Sequence, residues 1–219
     1  MNFVLERVSE PAIEVVTLAE MIQQVREFST IPTATQDELT RLIVVAREWA
    51  EHETGRIMVD QQWRLTIGDY VDRYRNVDSD TVTGYYRGAT APTADGAIPL
   101  RKSPVLAITS INSVDSDGVE TLIAASTYEL READSRWPSV VRLSGSTWTT
   151  GAYRILFRAG FADQTSSPTT GAEVVPQRFK QAIRLYAEAL YNRDEKLMGK
   201  LFEAAEALIR PERADLSLA

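Results

Sequence analysis

The sequence predicts an α+β chain. N-terminal helices pack with a C-terminal helix as a bundle, a small antiparallel β module lies between them, and a docking helix ends the chain. Three observations predict this. First, residues 175–192, VPQRFKQAIRLYAEALYN, place Phe179, Ile183, Tyr186 and Leu190 at helical steps of four, three and four. Arg178, Lys180, Arg184 and Glu188 fall off that stripe and are expected to stay wet. Second, residues 38–54 carry a matching stripe in Leu39, Leu42, Ile43, Ala46, Trp49 and Ala50. Third, the period drops to two after Arg56: Trp63, Leu65 and Ile67 alternate with Arg64 and Thr66, as in a half-buried strand. One domain is expected over residues 1–219.

Taken in order, residues 1–16 read as an arm or short extended segment, with Pro11 barring an early helix. Thr17 and Glu20 have capping-box spacing and open a helix over 18–28, and Thr35 with Glu38 repeats the signal before the long helix. Gly55 stands where a left-handed C-terminal cap is needed, closing the helical segment 17–55. The β-rich module spans 56–160. Within it, 69–97 reads as a protruding loop with a hairpin around Thr81–Arg87, either a partner contact or a tolerated surface insertion. Strands are predicted at 98–102, 105–111, 128–131, 140–143 and 153–158. Asp115-Ser116-Asp117-Gly118 is a turn signal that joins 108–114 and 119–124 as a hairpin. Pro168 and its Ser, Thr and Gly neighbours form a connection into the 175–192 helix, whose first turn suits Pro176. A last helix over 195–210 is closed by Pro211, and 211–219 is a tail. That helix has two adjacent stripes, Leu197, Leu201, Ala204, Leu208 and Met198, Phe202, Ala205, Ile209. So broad an apolar face is either the edge of the core or a docking element.

Composition removes most chemistries. With no cysteine there is no disulfide, zinc–thiolate site or thiol nucleophile, and a single histidine, His52, removes multi-histidine metal sites. His52 reads as solvated beside Glu48 and Glu51. Asp115 and Asp117 begin like a calcium loop but lack its terminal glutamate. Leu143-Ser144-Gly145-Ser146 lacks the glycine spacing of a nucleophile elbow. The sequence therefore predicts no enzyme, no cofactor and no metal. No apolar run is long enough to cross a membrane. The early charge in MNFVLERVSE argues against a secretory signal, so a protein assembled inside a cell is expected. The net charge of −7 is uneven: residues 1–60 hold 11 acidic and 5 basic side chains, whereas 175–219 hold 7 and 8. No segment concentrates the basic charge that sequence-specific nucleic-acid binding requires.

The order of several stretches resembles the head-to-tail connector (adaptor) family of tailed bacteriophages. They are AREWAEHETGR followed by QQWRLTI, then IPLRKSPVLAITSI, the DSDG hairpin, YRILFRAGF and VPQRFKQAIRLYAEALYNRDE. The resemblance covers residues 16–195, and the long 69–97 segment departs from it. It implies a structural virion protein in the neck, assembled in the host cytoplasm. That protein would form a homo-oligomeric ring, typically twelvefold, beneath the portal. The ring extends the DNA channel, lets double-stranded DNA pass without sequence preference and carries a stopper or tail-completion protein. Carried over by position, Leu197, Leu201, Phe202, Leu208 and Ile209, with Leu216 and Leu218, are portal-contact or supporting candidates. Glu20, Glu27, Glu48 and Glu51 are lumen or subunit-contact candidates, and Tyr85, Tyr86 and Arg87 are tail-side candidates. Deleting 211–219 is expected to spare the fold and weaken portal binding. The alternatives are a stopper or tail terminator, or an enzyme or small-ligand protein whose site draws on Asp69, Arg101 and Tyr153.

Overall fold

The structure is a computed structural model that describes residues 3–25, 32–68, 96–143, 148, 152–161, 175–192 and 194–212. It is an α+β chain of two compact units, comprising among these residues 3–10 with 60–160, and 11–59 with 161–212. The predicted 81–87 hairpin, residues 144–146 and the connection around Pro168 lie outside the described residues, as do Glu27, Asp69, Tyr85, Tyr86, Arg87, Leu216 and Leu218.

The first unit is built of β-strands, with one short 3₁₀ turn at Ala125–Thr127. Its strands are β1 (Phe3–Arg7), β2 (Gln61–Ile67), β3 (Ile98–Pro99), β4 (Val105–Val114), β5 (Glu120–Leu122), β6 (Tyr128–Arg131), β7 (Ser139–Arg142) and β8 (Ala152–Ala159). Five form an antiparallel sheet in the order β1-β2-β8-β4-β5, and three form a second in the order β3-β7-β6. The period-two pattern of β2 is realised in full, with Gln61, Trp63, Leu65 and Ile67 buried on one face. Opposite them across the ladders sit Phe3 and Leu5 on one side, and Tyr153, Ile155, Phe157 and Ala159 on the other. Alternation plus register thus makes one face apolar apart from Gln61 at its end. The other face is laced by ion pairs, Arg64 to Glu6 at 2.7 Å, Arg154 to Glu120 and Arg158 to Asp60.

The arm expected at the N-terminus is partly a sheet strand. In β1 only Phe3 and Leu5 point inward, and its pairing partner lies about sixty residues away, so the pattern alone is too short to declare a strand. The 98–102 strand is shortened to two residues because Arg101 takes a left-handed conformation, φ 65°, which ends the extended run.

The second unit is helical: α1 (Leu18–Gln24), α2 (Thr33–Thr54), α3 (Gln177–Tyr191) and α4 (Glu195–Ile209). At α1 the Thr17–Glu20 capping box forms in both directions. Gly55 closes α2 at φ 66°, its N–H reaching the Glu51 carbonyl. The second capping box does not form. The helix starts earlier, with Pro32 as its N-cap, so Thr35 lies inside the first turn and its own N–H already bonds the Pro32 carbonyl. The core draws Met21 from α1, Leu39, Ile43, Ala46 and Ala50 from α2, Phe179, Ala182, Ile183 and Ala187 from α3, and Ile209 from α4. Two expectations for α3 fail at the single-residue level. Lys180, expected in water, is buried at 8% exposure, while Leu190 at the end of the stripe is exposed.

Candidate interaction surfaces

Asp194 caps α4, its carboxylate accepting from the Lys196 and Leu197 N–H groups, which sets where the helix starts and which way it faces. Its broad apolar face is divided. Ala205 and Ile209 are buried, Met198, Leu201, Phe202 and Leu208 are half-buried, and Leu197 is exposed. Ile209 therefore has no surface to give a partner; it belongs to the core cluster against which Leu208 packs.

Phe202 joins an aromatic row across three helices. The Trp49 ring of α2 stacks on Tyr186 of α3, centroids 4.0 Å apart and planes at 12°, and Tyr186 meets Phe202 at 4.9 Å and 50°. All three rings are half-buried. Burial, and then the Glu53 carboxylate, push the Tyr186 hydroxyl above its ordinary value, so it stays a neutral donor. One helical turn from this row stand Val45 and Leu190, whereas Leu197, five residues before Phe202, lies about 140° around α4 from it. These are the exposed large apolar residues of the helical unit among the described residues.

The acidic candidates divide too. Glu48 is exposed and lies 4.0 Å from Arg47. Glu20 is spent on the capping box: burial raises its pKa, but hydrogen bonds from Thr17 and the charges of Lys180 and Arg184 outweigh this and hold it below the ordinary carboxylate value. Glu51 does not fit a lumen surface. It is 5% exposed, one carboxylate oxygen accepting from Arg47 at 3.0 Å and the other from the Met58 N–H at 2.9 Å. Sequence reasoning missed the hub of this network. Arg47, 1% exposed, also bonds Glu14 at 2.9 Å. The available signal was position: Arg47 is four residues past Ile43 and three before Ala50, on the apolar side of α2.

Of the residues suggested for a ligand pocket, Arg101 and Tyr153 do other work. The Arg101 guanidinium lies over the Phe3 ring at 5.6 Å, and Tyr153 is buried edge-on to Trp148 at 5.2 Å. Among the described residues no group of three or more His, Cys, Asp or Glu could hold a metal ion, and no helix is long and apolar enough to cross a membrane.

The tail begins later than the sequence suggested. Residues 210–212 form a short 3₁₀ turn, and Glu212 pairs with Arg178 of α3 and, at 3.8 Å, with Arg56 just after α2. Glu212 and Arg56 are mostly shielded, Arg178 less so. A chain ending at Glu212 should keep the full denaturant midpoint, whereas one ending at Arg210 should lose about 1 kcal/mol. Equal midpoints for the two truncations would show these pairs to be idle.

No protein-family model matches the chain, and no curated protein does. Solved structures do. The chain is similar to one in the neck of an empty gene transfer agent (GTA) particle computed with C6 symmetry, with a TM-score of 0.71 at 22% identity over 96% of this chain and 95% of that one. The likeness is one of fold. A chain in the virion of a native GTA particle gives 0.64 at 20% identity, covering 90% of this chain and 94% of that one. One in the neck of a native GTA particle computed with C12 symmetry gives 0.55 at 19%, with the same coverage.

Proposed function

We propose that the chain is a structural, non-enzymatic subunit of the neck between head and tail of a phage-like particle, acting as a single connector module. Copies form an adaptor ring beneath the portal, extend the DNA channel and carry the stopper or tail-completion protein. The observation that carries this reading is the fold likeness to a neck chain from end to end, 96% of one chain against 95% of the other. A shared element would explain a partial match; agreement of both units in one chain favours a shared role. The C6 and C12 symmetries of the neighbours' necks support a ring. A cyclic ring uses heterologous contacts, so each copy needs two different complementary patches.

The portal contact falls to α4 and the residues beyond it: Leu197, Leu201, Phe202 and Leu208, with Leu216 and Leu218, and Ile209 as support from the core. Glu27 and Glu48 are the acidic groups suited to a lumen, where repulsion from phosphates eases DNA passage, or to a subunit contact. Tyr85, Tyr86 and Arg87 are assigned to the tail side.

The test is light-scattering mass after gel filtration, alone and mixed with the portal protein of the same particle. A ring, or a monomer that joins the portal in near-equal stoichiometry, is expected. A monomer that ignores the portal overturns the adaptor reading, and crosslinks to the tail tube alone would make the chain a stopper or tail terminator.

A further inference from the structure

Glu212 is held in a clasp built from three helix ends. Arg56 follows the Gly55 cap of α2, Arg178 stands in the first turn of α3, and Glu212 closes the 3₁₀ turn after α4. The Arg56 guanidinium lies over the Phe161 ring at 5.1 Å and the Arg178 guanidinium over the Phe179 ring at 5.5 Å. The two rings meet at 5.7 Å, and Phe179 is part of the helical core. Both cations are thus seated on aromatic faces anchored in the core. The Glu212 carboxylate bridges them, 2.5 Å from Arg178 and 3.8 Å from Arg56.

Stability is a weak reason for this arrangement. The Arg178 side chain is 45% exposed and Arg56 stands off at the longer distance, so neither pair adds much to the folding energy. What the clasp does fix is a place and a direction. Pro211 has no N–H to continue α-helical bonding, the chain tightens into the 3₁₀ turn, and residues 213–219 start from a carboxylate-anchored residue.

We propose that Arg56 and Arg178 are positioning residues for the portal contact: by holding Glu212 they fix the root of residues 213–219 and so present Leu216 and Leu218. The inference rests on the reading above that these leucines meet the portal. With Glu212 held, Leu216 lies within about 14 Å of it and Leu218 within about 22 Å, the full stretch of the intervening chain. With Glu212 released, the root falls back to the buried Ile209, and each reach grows by about 11 Å. Lengthening the tether dilutes the leucines about twofold, and re-ordering the turn on docking costs further affinity.

Glu212→Gln and Arg178→Gln open the clasp from its two sides. Each should fold as the parent does, with a urea midpoint only slightly lowered, and raise the dissociation constant for the portal protein of the same particle about fivefold. A cycle reads the mechanism. In a chain already carrying Leu216→Gln and Leu218→Gln, Glu212→Gln should weaken portal binding no further, because no contact remains for the clasp to place. A full fivefold loss in that background overturns the positioning role. So does a midpoint that collapses in both single variants, which would make the clasp part of the fold. Unchanged affinity of both single variants, with the leucine variant weakened, overturns the clasp and leaves the portal reading standing. A leucine variant that binds as the parent does overturns the part of 213–219 in the portal contact and this inference with it.

Discussion

Replacing Arg47 with methionine should destabilise the helical unit by about 3–5 kcal/mol at neutral pH. The size comes from the groups left behind. Arg47 is 1% exposed and bonds both Glu14 and Glu51, so its loss strands two carboxylates in a poorly solvated place. Methionine fills similar volume, which keeps a cavity from contributing. The pH dependence identifies the cause. Burial pushes the Glu14 carboxyl above its ordinary 4.5, Arg47 pulls it back, and Glu51 and Glu48 push it up again, leaving it raised. A carboxyl raised by folding adds stability below its unfolded value and loses that stability as pH rises through the folded value. Without Arg47 the rise grows, so the defect should shrink as pH falls towards 4.5. Adding Glu14→Gln and Glu51→Gln should recover much of the loss, because a glutamine oxygen still accepts from the Met58 N–H. Urea midpoints near neutral pH and near 4.5 measure all of this. A loss under about 1 kcal/mol, or one indifferent to acid, would mean the network carries little of the stability.

That network also marks where sequence stops being informative. Local, repeated signals came through: the alternation of β2 and β8, the left-handed Gly55, the Asp115–Gly118 turn and the Thr17–Glu20 box are each fixed by neighbours within a few residues. Arg47 and Lys180 did not, because a periodicity argument scores a cation as surface, and the Glu14 partner that makes burial of Arg47 tolerable lies 33 residues away. Strand β1 was obscured likewise, since its β2 partner lies about sixty residues on. For the candidate surfaces, the apolar breadth of α4 was legible. Which half turns outward was not, since that depends on Tyr186 and Trp49 arriving from other helices. The acidic set shows the converse: Glu51 and Glu48 look alike in sequence, and only the fold buries one and exposes the other.

Phe179→Ala and Leu190→Ala put the same distinction to a measurement. Both residues belong to one stripe of α3, and pattern alone ranks them equally. Phe179 is fully buried at the first turn, with its ring 5.7 Å from Phe161 and the Arg178 guanidinium 5.5 Å over it. Truncating it removes apolar transfer energy and opens a cavity, a loss of about 3–5 kcal/mol. Leu190 is 37% exposed at the far end of the helix, so its truncation should change stability by about 0.5 kcal/mol or less. Leu190→Ala should therefore fold as the parent does, with an unchanged urea midpoint. If Leu190→Ala instead costs stability on the scale of Phe179→Ala, the residue is core.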